Sequence, residues 1–239
     1  VRIGMTGTLP EDAQKREMIC CRVGGDVIYG IESAQLALAG FISKSKINMV
    51  ELKHSNEERD EWLKKKAWAE LPWSWEIETK YLNTNKKRLE TIAKFIQNVS
   101  TENTLILCSK EIGGRLAEMT GLPFIDGETD PEARIKLYEA FKDKKNVKLL
   151  ATFGTSVTGI SIDDVFCGVL IDAGKDSIRI LQGIGRMLRL DTEGRHFVTI
   201  YDVWSSLKYS SRHRNQRVKL YKQRGIEYDA DWKINKILP

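Results

Sequence analysis

Thr104-Leu105-Ile106-Leu107-Cys108-Ser109-Lys110 is the stretch on which the fold turns. Its apolar core shows no alternation of apolar and polar residues, which is the pattern of a strand buried on both faces of a parallel sheet. A helical stretch follows and stops at Thr120-Gly121, with glycine as the C-cap. Residues 123–125 form a second short strand. Asp130-Pro131 opens a helix to about residue 142, with Asp as N-cap and Pro in the first turn. Strands are expected again at 147–151, 168–172 and 197–201, with helices at 177–188 and 205–224. Upstream, Leu89, Ile92, Ala93 and Ile96 recur at helical spacing within 85–97. Before them come strands at 1–6, 27–29 and 46–52 and helices at 11–21 and 33–39. Strands alternating with helices imply right-handed βαβ units and a parallel sheet covered on both faces.

Composition narrows the class. The 239 residues are 41% hydrophobic and 30% charged, a globular balance rather than a disordered one. A net charge of +5 permits a nucleic-acid partner without demanding one. No apolar run reaches the roughly 18 residues of a membrane helix, and no secretory leader is visible. The four cysteines, Cys20, Cys21, Cys108 and Cys167, form no C-x-x-C pair, and with His54, His196 and His213 they give no zinc spacing. Reduced thiols in a cytoplasmic protein, with no metal site and no membrane, are the expectation.

Three segments carry candidate chemistry. In Gln182-Gly183-Ile184-Gly185-Arg186-Met187-Leu188-Arg189, a helix puts Arg186 and Arg189 on one face with Gln182 a turn earlier. Two arginines together can make bidentate contacts to phosphate oxygens, or they can line an ion-paired surface. Gly185 weakens the helix, which suggests close approach of another segment or a ligand there. The run from Leu150 to Ser161 leaves a buried strand and is dense in Gly, Ser and Thr, so it can offer N–H groups and hydroxyls to an anion, or simply turn. Thr6-Gly7-Thr8-Leu9-Pro10 ends the first strand in a sharp turn. Ligands of open parallel sheets sit at the carboxyl ends of strands, so the segments after Cys108, Ile125, Ala151 and Asp172 are the ones to inspect.

In this order the segments resemble the C-terminal half of superfamily 2 helicases and DNA translocases, nearest the UvsW-like and repair-helicase branch. Thr6–Pro10 resembles motif III, Thr104–Lys110 motif IV, and Phe124–Gly127 with Arg134 motif IVa. Lys148–Ile162 resembles motif V, with one residue more between Thr152 and Gly159 than the common RNA-helicase pattern and Ser161 where many relatives have Asp. Gln182–Arg189 fits the Q-x-x-G-R-x-x-R form of motif VI.

The resemblance implies an α/β, RecA-like parallel sheet preceded by the end of a first RecA-like domain. It implies ATP and Mg²⁺ as cofactors, held mainly by that first domain, and nucleic acid, with DNA the expected polymer, as partner. Arg186 and Arg189 would be arginine fingers, with Gln182 ordering the same site and Gly159, Ser161 and Gly185 near the nucleotide. Thr6, Gly7 and Thr8 would couple the two domains. Ser109, Lys110, Gly127, Thr152 and Thr155 would grip the nucleic-acid backbone.

The resemblance divides the chain into a remnant of the first domain (1–50), a charged and Trp-rich inter-domain segment (51–80), the second RecA-like domain (81–228) and a tail (229–239). No G-x-x-x-x-G-K-[ST] loop occurs, and Asp60-Glu61 lies in a charged helix rather than at the end of an apolar strand. The chain is therefore expected to be part of a longer helicase and to hydrolyse no ATP alone. A non-catalytic module that kept the fold is the alternative.

Two further features stand apart from these motifs. The helix at 205–224 carries seven Lys and Arg and no acid. It reads either as a phosphate track through Arg212, Arg214 and Arg217, or as a solvated face. Trp62, Trp68, Trp73 and Trp75 either stack on bases or pack between domains.

Overall fold

Leu105 and Leu107 point to one side of their strand and Ile106 and Cys108 to the other, and all four are fully buried. That pattern repeats along a single sheet. The computed structural model describes residues 12–238 apart from 24, 26, 28–29, 31–32, 67, 69, 144, 156–163 and 190–196. Among the described residues the strands are β1 (Lys44–Leu52), β2 (Thr104–Cys108), β3 (Phe124–Ile125), β4 (Lys148–Thr152), β5 (Cys167–Ile171), β6 (Phe197–Ser205) and β7 (Glu227–Asp229). They lie in the order β3-β4-β2-β5-β6-β1-β7, and every neighbouring pair is parallel.

The helices are α1 (Ala13–Val23), α2 (Ser33–Leu38), α3 (Asn56–Lys65), α4 (Trp75–Thr84), α5 (Lys86–Asn98), α6 (Lys110–Thr120), α7 (Pro131–Asp143), α8 (Ser177–Met187) and α9 (Lys208–Gln223). α7, α8 and α9 cover the face that carries Leu105 and Leu107, through Tyr138, Ile180, Ile184, Met187, Leu220 and Tyr221. α5 and α6 cover the other, through Leu89, Ile92, Phe95, Ile96, Ile112 and Leu116 against Ile106, Cys108, Val169 and Ile171. The local signals held. Gly121 caps α6 at φ 70°, and Asp130 accepts from the N–H groups of Glu132 and Ala133 at 3.0 and 3.1 Å.

Two assignments from sequence change, and a third stretch is as expected. The boundary at residue 50 cuts through β1, which pairs in register with β6 from Lys44↔Phe197 to Leu52↔Ser205 and so belongs to this sheet. The tail is part of the fold: β7 adds to β1, and Trp232, 8% exposed, stands edge-on to Tyr201 and Phe95 at 5.2 and 6.3 Å. The charged stretch after β1 forms α3 and α4, with Asp60 and Glu61 exposed on α3.

The tryptophans divide. Trp62 and Trp73 meet the buried Tyr81 ring edge-on at 5.3 and 5.9 Å, and Trp68 meets Trp62 at 5.5 Å, so these three pack the fold. Trp75 is 53% exposed.

Buried polar groups tie these layers together. Glu78 of α4, almost fully buried, accepts from the N–H groups of Tyr209 and Ser210 at 3.0 and 2.6 Å. It therefore caps α9, whose own N-cap, Leu207, has no side chain to do so. Arg88 at the start of α5 donates to Ser205 Oγ at 3.0 Å, to the Leu82 carbonyl at 2.9 Å and to Asp172. The thiols of Cys108 and Cys167 are buried, and burial pushes both up to about 12, which makes them inert packing groups.

His54 sits between Tyr81 Oη and Ser205 Oγ, both at 3.1 Å, and burial, then Arg88, pull it down to about 4. Its folded pKa lies below the unfolded value of 6.5, so its share of stability is complete above that value and is lost as pH falls toward 4. Proton NMR of the His54 ring should show a titration midpoint near 4. A midpoint in the ordinary histidine range would contradict this geometry.

Candidate functional site

The loops that follow β2, β3 and β4 meet at one edge of the sheet. Ser109 caps α6, its Oγ accepting from Ile112 N at 3.3 Å. Lys110 reaches across to Asp126 at 3.2 Å and Glu128 at 2.5 Å, so the loops after β2 and β3 are tied together. Glu128, then Asp126, hold the Lys110 ammonium above its ordinary pKa. Asp126 folds the second loop by accepting from the N–H groups of Glu128 and Thr129, both at 3.0 Å. Gly127 at its tip is exposed, with open space where a Cβ would stand. Ser109, Lys110 and Gly127 therefore share one exposed surface. An anion there competes with two carboxylates for Lys110.

Thr152 and Thr155 do not join that surface. They are 9% and 6% exposed, and their hydroxyls lie 2.9 Å apart. Thr155 Oγ1 also donates to the Thr152 carbonyl at 3.0 Å. The expected backbone-gripping pair is instead an internal brace at the end of β4, because leaving two buried hydroxyls unpaired would cost more than pairing them with each other.

The motif VI segment is α8 and the turn after it. Asp176 caps the helix from Arg179 N at 3.1 Å, and Ile180, Gly183, Ile184 and Met187 face the core. Gln182 and Arg186 are half-buried and Arg189 is exposed. Burial and then the positive charge of Arg189 lower the pKa of Arg186, so the two guanidinium groups are close enough to repel.

Of the two alternatives at Gly185, a close protein segment is found instead at Gly183. A Cβ on Gly183 would come within 2.9 Å of Leu107 Cδ1, whereas Gly185 has nothing within 4 Å. Gly183 lets α8 settle on β2, and Gly185 leaves the side next to Arg186 open.

The arginines are also not where strand ends alone would place them. α8 starts beyond the carboxyl end of β5 and spans about 16 Å, the length of that five-residue strand, in the return direction. Ser43, just before β1, donates from its N–H to the Leu188 carbonyl at 2.8 Å and from Oγ to the Arg189 carbonyl at 3.3 Å. Arg186 and Arg189 thus lie toward the amino ends of the strands, across the domain from Lys110 and Gly127. Ser43 was invisible as a site residue in the sequence, because its role is a contact with residues 146 positions away.

The basic helix α9 does not form a single track. Arg217 is 2% exposed and makes a bidentate pair with Asp202 at 2.7 and 2.8 Å, with Tyr221 Oη donating to the same carboxylate at 2.9 Å. Its assignment to nucleic acid is therefore corrected: it neutralises a buried carboxylate of β6. Arg214 lies over the Trp204 ring at 5.2 Å and reaches the Ala230 carbonyl at 3.5 Å. Arg212 is exposed beside Tyr209.

Thr6, Gly7, Thr8, Gly159 and Ser161 lie outside the described residues. Among the described residues there is no cluster of metal-ligating side chains and no helix long and apolar enough to cross a membrane.

A parallel sheet covered by helices on both faces is the RecA-like fold of helicase C-terminal domains. Residues 84–191 match the family model of the helicase conserved C-terminal domain. Over 226 residues the chain is 25% identical to the ATP-dependent DNA helicase uvsW of Enterobacteria phage T4, covering 91% of this chain and 43% of that protein. The crystal structure of T4 UvsW superposes with a TM-score of 0.62 at 23% identity, over 81% of this chain and 42% of that one. S. cerevisiae Dbp5 bound to RNA and ADP BeF3 shares the fold at a TM-score of 0.58 and 13% identity, over 98% of this chain and 54% of that one. The chain therefore spans less than half the length of uvsW.

Arg217→Ala should destabilise the domain by about 3–5 kcal/mol, the usual consequence of stranding one partner of a buried ion pair. Urea unfolding measures this. A variant as stable as the parent would show that Asp202 is not held by this arginine.

Proposed function

We propose that this chain is the arginine-bearing half of the ATP site of an ATP-dependent nucleic-acid helicase or translocase. The observation that carries the reading is the Arg186–Arg189 pair. One guanidinium is half-buried and sits in the field of the other, beside a helix surface that Gly185 keeps open. Two planar, bidentate donors set side by side fit the oxygens of a polyphosphate. The residues present suit ATP in that sense. When bound, the nucleotide supplies the phosphoryl group that is transferred to water.

The work of this chain's own side chains follows. Arg186 and Arg189 stabilise charge that grows on the transferring phosphoryl oxygens, an effect worth about 10³–10⁵ in rate in nucleotide hydrolases that use such arginines. Gln182, one turn before Arg186, orders the same surface. Ser43 fixes the backbone of the turn that carries Arg189. At the opposite edge, Ser109, Lys110 and Gly127 face the nucleic-acid backbone, with Lys110 exchanging its carboxylates for phosphate. Contacts of that kind hold the strand without reading its sequence. Arg212 adds positive charge on the outer face of α9. DNA is the expected polymer, by likeness to the DNA helicase uvsW.

Two measurements test this. The 239-residue chain contains no G-x-x-x-x-G-K-[ST] loop, so purified alone it should hydrolyse ATP at background with or without DNA. Nucleic-acid-stimulated turnover by the chain alone would refute the division of labour. Joined to a first RecA-like domain that supplies that loop, the chain should support turnover. Arg186→Ala or Arg189→Ala should then lower kcat by about 10³ or more. A fully active double variant would refute the assignment.

A further inference from the structure

Tyr138 is 3% exposed, yet its hydroxyl has no hydrogen-bond partner. One turn earlier on the same face of α7, Arg134 Nε is also buried and unpartnered. Buried polar atoms without partners are uncommon and costly, and a phenylalanine at 138 would fill the same space without that cost. A hydroxyl kept where an apolar ring would be more stable points to a use outside this resting geometry.

The surroundings indicate the use. Tyr138 shares its core cluster with Ile180, Ile184 and Met187, the inward residues of α8 on either side of Arg186. Burial raises the Tyr138 phenol while the positive charges of Arg134 and Arg186 oppose the rise, so both guanidinium groups act on it electrostatically. At its other end the path reaches the loop after β3. Arg134 Nη2 donates to the carbonyls of Asp126 at 3.2 Å and Thr129 at 3.1 Å, on either side of Gly127. α7 thus joins the surface of Lys110 and Gly127 to the end of α8.

We propose that Tyr138 is a positioning residue for Arg186, its buried hydroxyl accepting a hydrogen bond from the guanidinium when that arginine is drawn onto a phosphate-bearing ligand. Arg134 ties the helix that carries this hydroxyl to the loop after β3. The inference rests on Arg186 being the nucleotide-facing arginine, and it adds a residue that no helicase motif quoted above contains.

The test is Tyr138→Phe in the chain joined to a first RecA-like domain, with Arg186→Ala alongside and ATP as the probe. Tyr138→Phe should lower kcat about tenfold and leave KM for ATP within roughly twofold, because an interaction made only as the arginine engages acts on kcat. Its melting temperature should equal or exceed the parent's, since the change removes an unsatisfied hydroxyl. Parental kcat in Tyr138→Phe while Arg186→Ala is inactive would overturn the positioning role alone. A fall in kcat matched by a fall in melting temperature would make Tyr138 a packing residue and also overturn it. An active Arg186→Ala would instead overturn the nucleotide-site reading on which it stands.

Discussion

Everything in this domain depends on a sheet whose two faces must both be dry. The central strands β2 and β5 have every residue buried, and each successive side chain enters a different layer. Helices must therefore cover both sides, and the connections must cross from one end of the sheet to the other. That requirement sends α7 and α8 back along the same face and fixes where their ends fall. It also sets the separation between the two candidate surfaces. Loops leaving the carboxyl ends of β2 and β3 carry Lys110 and Gly127, while the far end of α8 carries Arg186 and Arg189.

Polar groups inside such a sheet have to be paired, and here they bind the layers to each other. Arg217 answers the buried Asp202, Arg88 joins α5 to Asp172 and Ser205, and Glu78 caps α9 from another helix. These contacts explain why a helix with six Lys and Arg is stable in a domain of modest net charge. Its most buried arginine is neutralised from within, and its N-terminus is met by a carboxylate from α4. The Thr152–Thr155 brace follows the same rule at the end of β4.

Among the buried polar atoms that are left without a partner, those of Tyr138 and Arg134 lie one turn apart on the same helix. They lie on the helix that spans the distance between the two surfaces. Under the proposed function, events at a nucleic acid have to be felt at a nucleotide. A helix anchored by backbone carbonyls at one end and sharing a core with the inward residues of α8 would be a physical means of doing so.

Much of the fold was legible because its signals are local. The unbroken apolar run before Ser109, the Gly121 cap and the Asp130-Pro131 start depend on residues within a few positions of each other. The spacing of Gln182, Arg186 and Arg189 on one helix was equally local. What tertiary structure alone decided involves partners far apart in the chain. β1 joined this sheet because its pairing with β6 links residues about 150 positions apart, and Trp232 became core because Phe95 and Tyr201 converge on it. Arg217 turned inward because the fold places an acid, Asp202, on the adjacent strand, where composition showed only a basic helix. Sequence determined which residues could meet a phosphate, since chemistry is carried by the side chain. Which of them face solvent, and at which end of the sheet, was set by long-range packing that no local window contains.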